Sequence, residues 1–252
     1  YEISECLVGS EMCIRDRLGN PSNFMNNDPN NHPLNMLGTI YKGGIIVPII
    51  QTLLLTVLAL SIERYFALRS AFGKGSLSKF VANIKDALAA GDMKKAQEIC
   101  DKQRGSVANV VTSTLRKYEE MEKNTSLPKE QKLLAIQKEL EEATALEMPM
   151  MQQNLPIIAT ITTLGTLMGL LGTVIGMIRS FAALSAGGGA DSMALSQGIS
   201  EALINTAFGI LTGALAVISY NYYTNKIDKL TYGLDAVSYT HLRAHETLAN
   251  LV

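Results

Sequence analysis

Tryptophan is missing from this chain, cysteine is scarce, and neither sign of charge is in excess. The 252 residues contain no Trp and three Cys, and 22 Lys and Arg stand against 23 Asp and Glu. Without an excess of basic residues there is no electrostatic reason to expect nucleic-acid binding. Without tryptophan, any aromatic anchors at a lipid–water interface have to be tyrosines. The candidates are Tyr41, Tyr65, Tyr220, Tyr222 and Tyr223.

The two ends of the chain resemble a translated sequencing adapter. Every residue of 1–16 has a codon whose reverse complement encodes its counterpart in 237–252 read backwards; Met12 (ATG) pairs with His241 (CAT). A signal peptide fits badly, because the N-terminal residues have no apolar core of the required length. We therefore expect 1–17 and 237–252 to be adapter artefacts with few long-range contacts, leaving a biological fragment, 18–236, open at both ends.

This interpretation removes two apparent signals. Cys6 and Cys13 fall in the adapter, so that Cys100 is left alone and no disulfide framework is available. His241 and His245, whose spacing of four would suit a metal site on a helix, fall in it as well. We expect no metal site.

Formal charge is absent from two long stretches, 148–178 and 202–225, and a third apolar block lies between Lys42 and Glu63. Roughly 20 apolar residues suffice to cross the hydrocarbon core of a bilayer. The first block is rich in Leu, Ile and Val, and we expect it to face lipid. No segment has the pattern of a strand. The sequence predicts an all-α membrane protein with a helical cytoplasmic insert, long helices extending from membrane into cytoplasm, and transmembrane helices at 43–63, 154–181 and 199–225.

Basic residues are distributed unevenly around these helices. Residues 64–153 hold fifteen of the 22 Lys and Arg, whereas 182–198 hold none. Because cytoplasmic loops carry the excess of Lys and Arg, the N-terminus is expected outside and the C-terminus inside. We expect a mobile, extended external segment at 18–42, a cytoplasmic helical domain at 64–153, an external loop at 182–198 and a truncated cytoplasmic segment at 226–236.

The cytoplasmic insert has the 3.6-residue period of amphipathic helices. Gly91 fits the end of one helix, and Asp92 fits the N-cap of the next. From Lys129 the pattern continues toward the second transmembrane helix without a strong stop, so we expect one long helix there. The apolar face of the first insert helix consists of Leu77, Phe80, Val81, Ile84 and Leu88.

Glycines recur at spacings of three and four in the second and third transmembrane helices. Pairs in a GxxxG arrangement let helix backbones approach closely. We expect them to serve helix packing, and we expect leucine at Gly172 or Gly209 to disrupt subunit assembly. The three pairs are Gly165–Gly169, Gly172–Gly176 and Gly209–Gly213.

The polar residues of these helices leave two interpretations open. Thr166 and Thr173 are seven positions apart and share a helix face, where their hydroxyls can line a polar path or simply bond back to their own helix. Glu201 lies at the start of the third helix. It is either a functional carboxylate within the membrane or a helix-end residue that the helix dipole stabilises. The short external loop should bring Glu201 close to Arg179.

The two motifs GLLGTVIGMIRSF (169–181) and ISEALINTAFGILTGALAVISYN (199–221) resemble the hairpin of the MotA/TolQ/ExbB proton channel family. Three transmembrane helices favour the ExbB/TolQ branch over MotA. LAAGDMKKAQEIC in the insert also fits, and the resemblance covers nearly all of 38–230. It implies a homopentamer in the bacterial inner membrane around a single-span ExbD/TolR-type partner, whose helix carries a protonatable aspartate. It also implies force transmission to a TonB/TolA-type envelope protein, which puts the external segments in the periplasm.

The resemblance further implies roles for individual residues. Thr173 and Thr206 correspond to pore-facing threonines and Glu201 to the third-helix glutamate of the family. Thr166, a further pore candidate, stands where many relatives carry proline, and Asn205 replaces a smaller residue.

An enzyme is disfavoured, and no cofactor is expected. There is no nucleophile–base pair and no His/Cys/Asp cluster, and the GGGAD stretch at 187–191 lacks the lysine of a phosphate loop. The prediction is a proton-channel subunit that couples the proton motive force to energised transport or envelope maintenance. The alternative is a structural membrane scaffold without its own ion path.

Overall fold

A computed structural model of the chain describes residues 9, 12–28, 33–124, 127–186 and 192–249. Two 3-10 helices, Pro21–Asn23 and Met25–Asn27, precede the longer helices, and the described residues form no strand, which confirms the all-α prediction. The helices in chain order are α1 (Met36–Tyr41), α2 (Ile46–Phe72), α3 (Leu77–Ala89), α4 (Met93–Gln103), α5 (Ser106–Lys123), α6 (Lys129–Gln152), α7 (Leu155–Ala186) and α8 (Ser192–Ala249).

Three of these helices are long and apolar enough to cross a membrane, in the places where the sequence predicts transmembrane helices. α2 continues to Phe72, and α8 continues past the end of its charge-free stretch to Ala249. Both therefore extend well beyond the apolar segment, as the prediction of long helices running out of the membrane requires.

The predicted continuous helix from Lys129 into the second transmembrane helix is wrong. α6 ends at Gln152, and a two-residue turn follows in which Asn154 has a φ of 65°. Pro156 gives the physical reason, because it has no N–H to donate to the carbonyl of Gln152 and its ring would clash with that carbonyl in a continuous helix. In the first turn of a new helix the missing N–H is harmless, and α7 begins at Leu155.

The chain divides into two compact units, Tyr1–Ile62 with Pro156–Asn221 and Glu63–Leu155 with Tyr222–Val252. In the first unit, α2 buries one face, which includes Val47, Ile50 and Val57, and exposes others such as Leu58. The helix that is expected to face lipid thus also has a face that packs against the protein. Its apolar composition conceals a packed face, because Leu, Ile and Val suit lipid and protein neighbours equally.

The prediction of a mobile, extended segment at 18–42 does not hold for its described residues. Phe24 is fully buried and meets the ring of Tyr41 edge to face, with centroids 5.8 Å apart. Gly38 permits this cluster, since a Cβ there would lie 2.8 Å from the carbonyl oxygen of Asn23. Residues 12–17 are exposed. The side chains at positions 7, 8 and 242, whose packing would argue against the adapter interpretation, lie outside the described part.

The insert folds as the second unit around the apolar faces of α3 to α6. Phe80 and Ile84 of the predicted face are buried, as are Ile136 and Leu140 of α6. Asp92 caps α4 by accepting a hydrogen bond from the backbone N–H of Lys95 at 3.0 Å, which confirms the predicted helix boundary. The preceding Gly91 has a φ of 71°, a left-handed conformation that glycine adopts without strain.

Arg64 ties the end of α2 to the turn between α6 and α7. Its side chain is 2% exposed and donates hydrogen bonds to the carbonyls of Met150 (3.2 Å) and Met151 (3.4 Å), near the C-terminus of α6. Its guanidinium also pairs with Glu63, whose carboxylate accepts a 3.3 Å hydrogen bond from Asn154. The buried charge is thus fully satisfied, and it stabilises helix carbonyls that have no intrahelical partner.

Candidate functional site

The backbones of α7 and α8 touch where their glycines meet. A Cβ on Gly165 would lie 3.3 Å from the backbone nitrogen of Gly213, and one on Gly169 would lie 3.1 Å from the Cα of Gly209. A Cβ on Gly209 would approach both Gly165 and Gly169 to 2.7 Å. A side chain at Gly209 would force the two backbones apart, and one at Gly165 or Gly169 would fit only tightly.

Gly172 and Gly176 continue the contact toward the end of the hairpin. A Cβ on Gly176 would lie 3.1 Å from the Cβ of Ala202. All six glycines of the predicted pairs therefore contact the facing helix of the same chain. Leucine at Gly172 or Gly209 would therefore strain the hairpin itself, and its effect on subunit assembly stays a prediction.

Asn205 fills the space that Gly172 leaves free. A Cβ on Gly172 would lie 2.5 Å from the Cβ of Asn205 and 2.9 Å from its Nδ2. The Asn205 side chain is buried, and its Oδ1 has no hydrogen-bond partner among the described residues. The sequence marks Asn205 only as larger than its counterparts. An amide in a charge-free stretch opposite a glycine is the signal that could have singled it out.

The threonine hydroxyls behave in two ways. Thr166 donates to the carbonyl of Thr163 at 2.8 Å and Thr173 to that of Leu170 at 2.6 Å, each within α7. Thr206 instead reaches across the helix contact to the carbonyl of Gly169, at 3.5 Å. Because 3.5 Å is at the outer limit of a hydrogen bond, the Thr206 hydroxyl makes the weakest hydrogen bond of the three.

Glu201 and Arg179 form an ion pair at the end of the hairpin. The Arg179 Nη1 donates to Oε1 of Glu201 at 3.1 Å, which confirms the predicted proximity of the two residues. The Glu201 side chain is 14% exposed, compared with 54% for Arg179. The carboxylate is therefore the inner member of the pair, and the guanidinium covers it from outside.

Gly44, which sequence reasoning missed, packs against this ion pair. It has a φ of 77°, and a Cβ there would overlap the carboxylate of Glu201 and lie 3.3 Å from Nη1 of Arg179. The chain immediately before α2 thus forms one wall of the Glu201 site. A glycine at the start of a predicted transmembrane helix is too common a feature to identify such a contact from sequence.

The described residues contain no group of three His, Cys, Asp or Glu side chains that could hold a metal ion. The glycine-rich stretch at 187–191 lies outside the described residues. The hairpin therefore offers hydroxyls, one buried amide and one carboxylate paired with a guanidinium. These groups can donate, accept and relay hydrogen bonds, which is the chemistry of a polar path.

Three membrane-length helices, two of them joined by glycine contacts around a few polar side chains, define a multi-pass membrane protein. Residues 103–236 match the MotA/TolQ/ExbB proton channel family. The chain belongs to this family, whose members are proton-channel and transport subunits and not known as enzymes, and it is an inner-membrane protein.

Among the proteins similar to this chain, some are named ExbB and others TolQ. The chain is 36% identical to the biopolymer transport protein ExbB-like 3 of Synechocystis sp. over 33% of its own length and 41% of that protein. It is 31% identical to ExbB-like 1 of the same organism, over 73% of its own length and 69% of that protein. It is 24% identical to the Tol-Pal system protein TolQ of Pseudomonas aeruginosa, over 72% of its own length and 81% of that protein. The chain thus spans between 41% and 81% of the length of these three relatives, and about two fifths of the first of them.

Proposed function

We propose that this protein is a proton-channel stator subunit of an ExbB/TolQ-type motor, which couples the proton motive force to energised transport or envelope maintenance. The observation that carries the proposal is the position of Thr206. Its hydroxyl lies at the contact between α7 and α8, with one long hydrogen bond to Gly169. A hydroxyl held so loosely can accept and donate at once, as a relay of protons requires.

Thr173 and Thr166 extend this polar path along α7. Both side chains are partly exposed, so their hydroxyl oxygens can accept a further hydrogen bond while they donate to their own helix. Glu201 tunes the electrostatics at the mouth of the path through its pairing with Arg179. The proton itself is carried by a protonatable aspartate on the partner helix.

The assembly that this function needs is a homopentamer around an ExbD/TolR-type single-span partner, acting on a TonB/TolA-type envelope protein. The exposed apolar side chains of α7, among them Leu167, Leu170 and Val174, provide surface for lipid and for neighbouring subunits. We place the N-terminus in the periplasm and the C-terminus in the cytoplasm, because the basic residues concentrate in the insert. Residues 1–17 and 237–252 remain, in this proposal, adapter sequence.

A structural scaffold without an ion path is the second candidate. It is favoured by the short hydrogen bonds of Thr166 and Thr173 to their own helices, since hydroxyls satisfied in this way need no path. The two candidates differ in one measurable property, the movement of protons across the membrane.

The test is proton flux into liposomes that contain a pH-sensitive dye, under an imposed membrane potential. Liposomes with the chain and its single-span partner should acidify, whereas those with the chain alone, or with a partner whose aspartate is replaced by asparagine, should not. Equal, background flux in all three preparations, with the complex intact by native mass spectrometry, would establish the scaffold instead.

A further inference from the structure

A cleft of about 410 Å³ lies in the second unit, between the last turns of α2 and the part of α8 that follows its charge-free stretch. Its walls are mainly aromatic and basic, and none of the lining residues is acidic. The side chains that matter here are Tyr65, Arg69 and Phe72 of α2 and Tyr222, Tyr223 and Lys226 of α8.

The cleft holds two positive charges, and no carboxylate of the described residues forms a salt bridge with either of them. Lys226 places its Nζ 5.5 Å from the centroid of the Tyr222 ring and 5.9 Å from that of Phe72, within cation–π distance of both. Within the described part of the chain, neither Lys226 nor Arg69 forms an ion pair. The ammonium is therefore held in position by aromatic faces, which orient it without cancelling its charge.

The aromatic residues place the cleft at the depth of lipid headgroups. Tyr65 and Tyr222 are about half exposed, and Tyr222 packs edge to face on the buried Tyr223 with centroids 5.2 Å apart. Tyrosines concentrate at membrane–water interfaces, where the ring meets lipid and the hydroxyl meets water. Lys226 is the first charged residue after the stretch 202–225, and Arg69 follows the apolar part of α2. Both cations thus lie just beyond apolar helix segments.

We propose that this cleft binds the phosphodiester headgroup of an anionic phospholipid. Arg69 and Lys226 supply the charge that complements the phosphate, and Leu68 and Phe72 supply an apolar wall for the glycerol and upper acyl chain. Basic clefts between transmembrane helices at the membrane surface suit such headgroups, and each basic residue near an anionic surface contributes roughly fivefold in affinity. A free phosphate would gain nothing from the apolar wall.

The experiment uses the full chain in detergent and native mass spectrometry to count retained lipids. Phosphatidylglycerol, phosphatidylcholine with the same acyl chains, and inorganic phosphate are titrated separately. Phosphatidylglycerol should be retained at least about tenfold more strongly than phosphatidylcholine. Millimolar phosphate should not displace it.

Variants then locate the site. Lys226→Gln should weaken phosphatidylglycerol retention roughly fivefold, Arg69→Gln/Lys226→Gln roughly 25-fold, and Lys226→Arg hardly at all. Lys229→Gln is the matched control, because Lys229 is exposed one turn further along α8 and does not line the cleft. Equal retention of both lipids, displacement by phosphate, or the same loss in Lys229→Gln would overturn the proposal. So would an oligomer of the wild-type chain that excludes the lipid, since a second copy would then occupy the cleft.

Discussion

Arg179 Nη1 lies 3.1 Å from Glu201 Oε1. This ion pair joins α7, where its apolar part ends, to α8, where its apolar part begins. Glu201 is the less exposed member and would be left with an uncompensated charge if Arg179 were removed. Glu201→Gln keeps the shape and removes the charge. We expect it to reduce proton-coupled activity several-fold with assembly intact, and Glu201→Ala to reduce it further.

The control for this pair is a reversal of the two charges. Arg179→Glu/Glu201→Arg restores an attractive pair and should recover part of the activity that either single reversal loses. Activity would be measured as proton flux in the complex with its partner. Wild-type flux in Glu201→Gln would reduce Glu201 to a helix-end residue.

Arg64 should be among the most sensitive positions for stability. Arg64→Gln removes a buried guanidinium that serves the carbonyls of Met150 and Met151 and the carboxylate of Glu63. Loss of one partner of a buried charged network costs about 3 kcal/mol in the free energy of unfolding. Arg116→Gln on the exposed surface of α5 should stay within about 0.5 kcal/mol. Chemical unfolding in detergent, followed by circular dichroism, measures both; equal small effects would show that Arg64 is dispensable.

The glycine contact predicts a steric defect inside the hairpin. Gly209→Leu places a side chain where even a Cβ would lie 2.7 Å from Gly165 and Gly169, and overpacking costs about 1–3 kcal/mol. Ala207→Leu adds comparable bulk on an exposed position of the same helix and should be nearly neutral. Thermal unfolding of both variants provides the comparison. Should Gly209→Leu unfold like Ala207→Leu, the close approach of α7 and α8 would be refuted.

Cys100 should not react with alkylating reagents in the folded protein. Burial raises the pKa of its thiol to about 11, so that at pH 8 only about one molecule in a thousand carries the reactive thiolate. The denatured chain serves as the control. Alkylation resolved by peptide mass spectrometry should modify Cys100 at least about a hundredfold faster after denaturation than in the folded protein. Comparable rates in the two states would contradict the burial of Cys100.

The helices could be located from the sequence because charge and apolar periodicity report them directly. The charge-free stretch 148–178 covers most of α7, and the stretch 202–225 lies within α8. Asp92 marks the start of α4, because its side chain caps that helix. The break at Gln153–Asn154 was missed because neither a charge nor a glycine marks it, whereas Pro156 removes the hydrogen bond that a continuous helix needs.

The sequence predicted most of the polar residues of the α7–α8 hairpin, but only some of the contacts that these residues make. The short loop between α7 and α8 places Glu201 beside Arg179 by topology alone. The roles of Gly44 and Asn205 could not be inferred, because each depends on which residue faces it across a helix contact. Helical spacing gives the face of a residue on its own helix and does not identify the neighbour on another.

Proton flux through the reconstituted complex in Thr206→Val is the most direct test of a polar path along the hairpin. Valine preserves the shape of threonine and removes the hydroxyl that reaches Gly169. Thr160→Val is the matched control, since the Thr160 hydroxyl is exposed and bonds to its own helix at the carbonyl of Pro156. With normal assembly, flux should fall by at least about tenfold in Thr206→Val. It should fall further in Thr173→Val/Thr206→Val and stay at the wild-type level in Thr160→Val. Wild-type flux in the double variant would contradict the proton path.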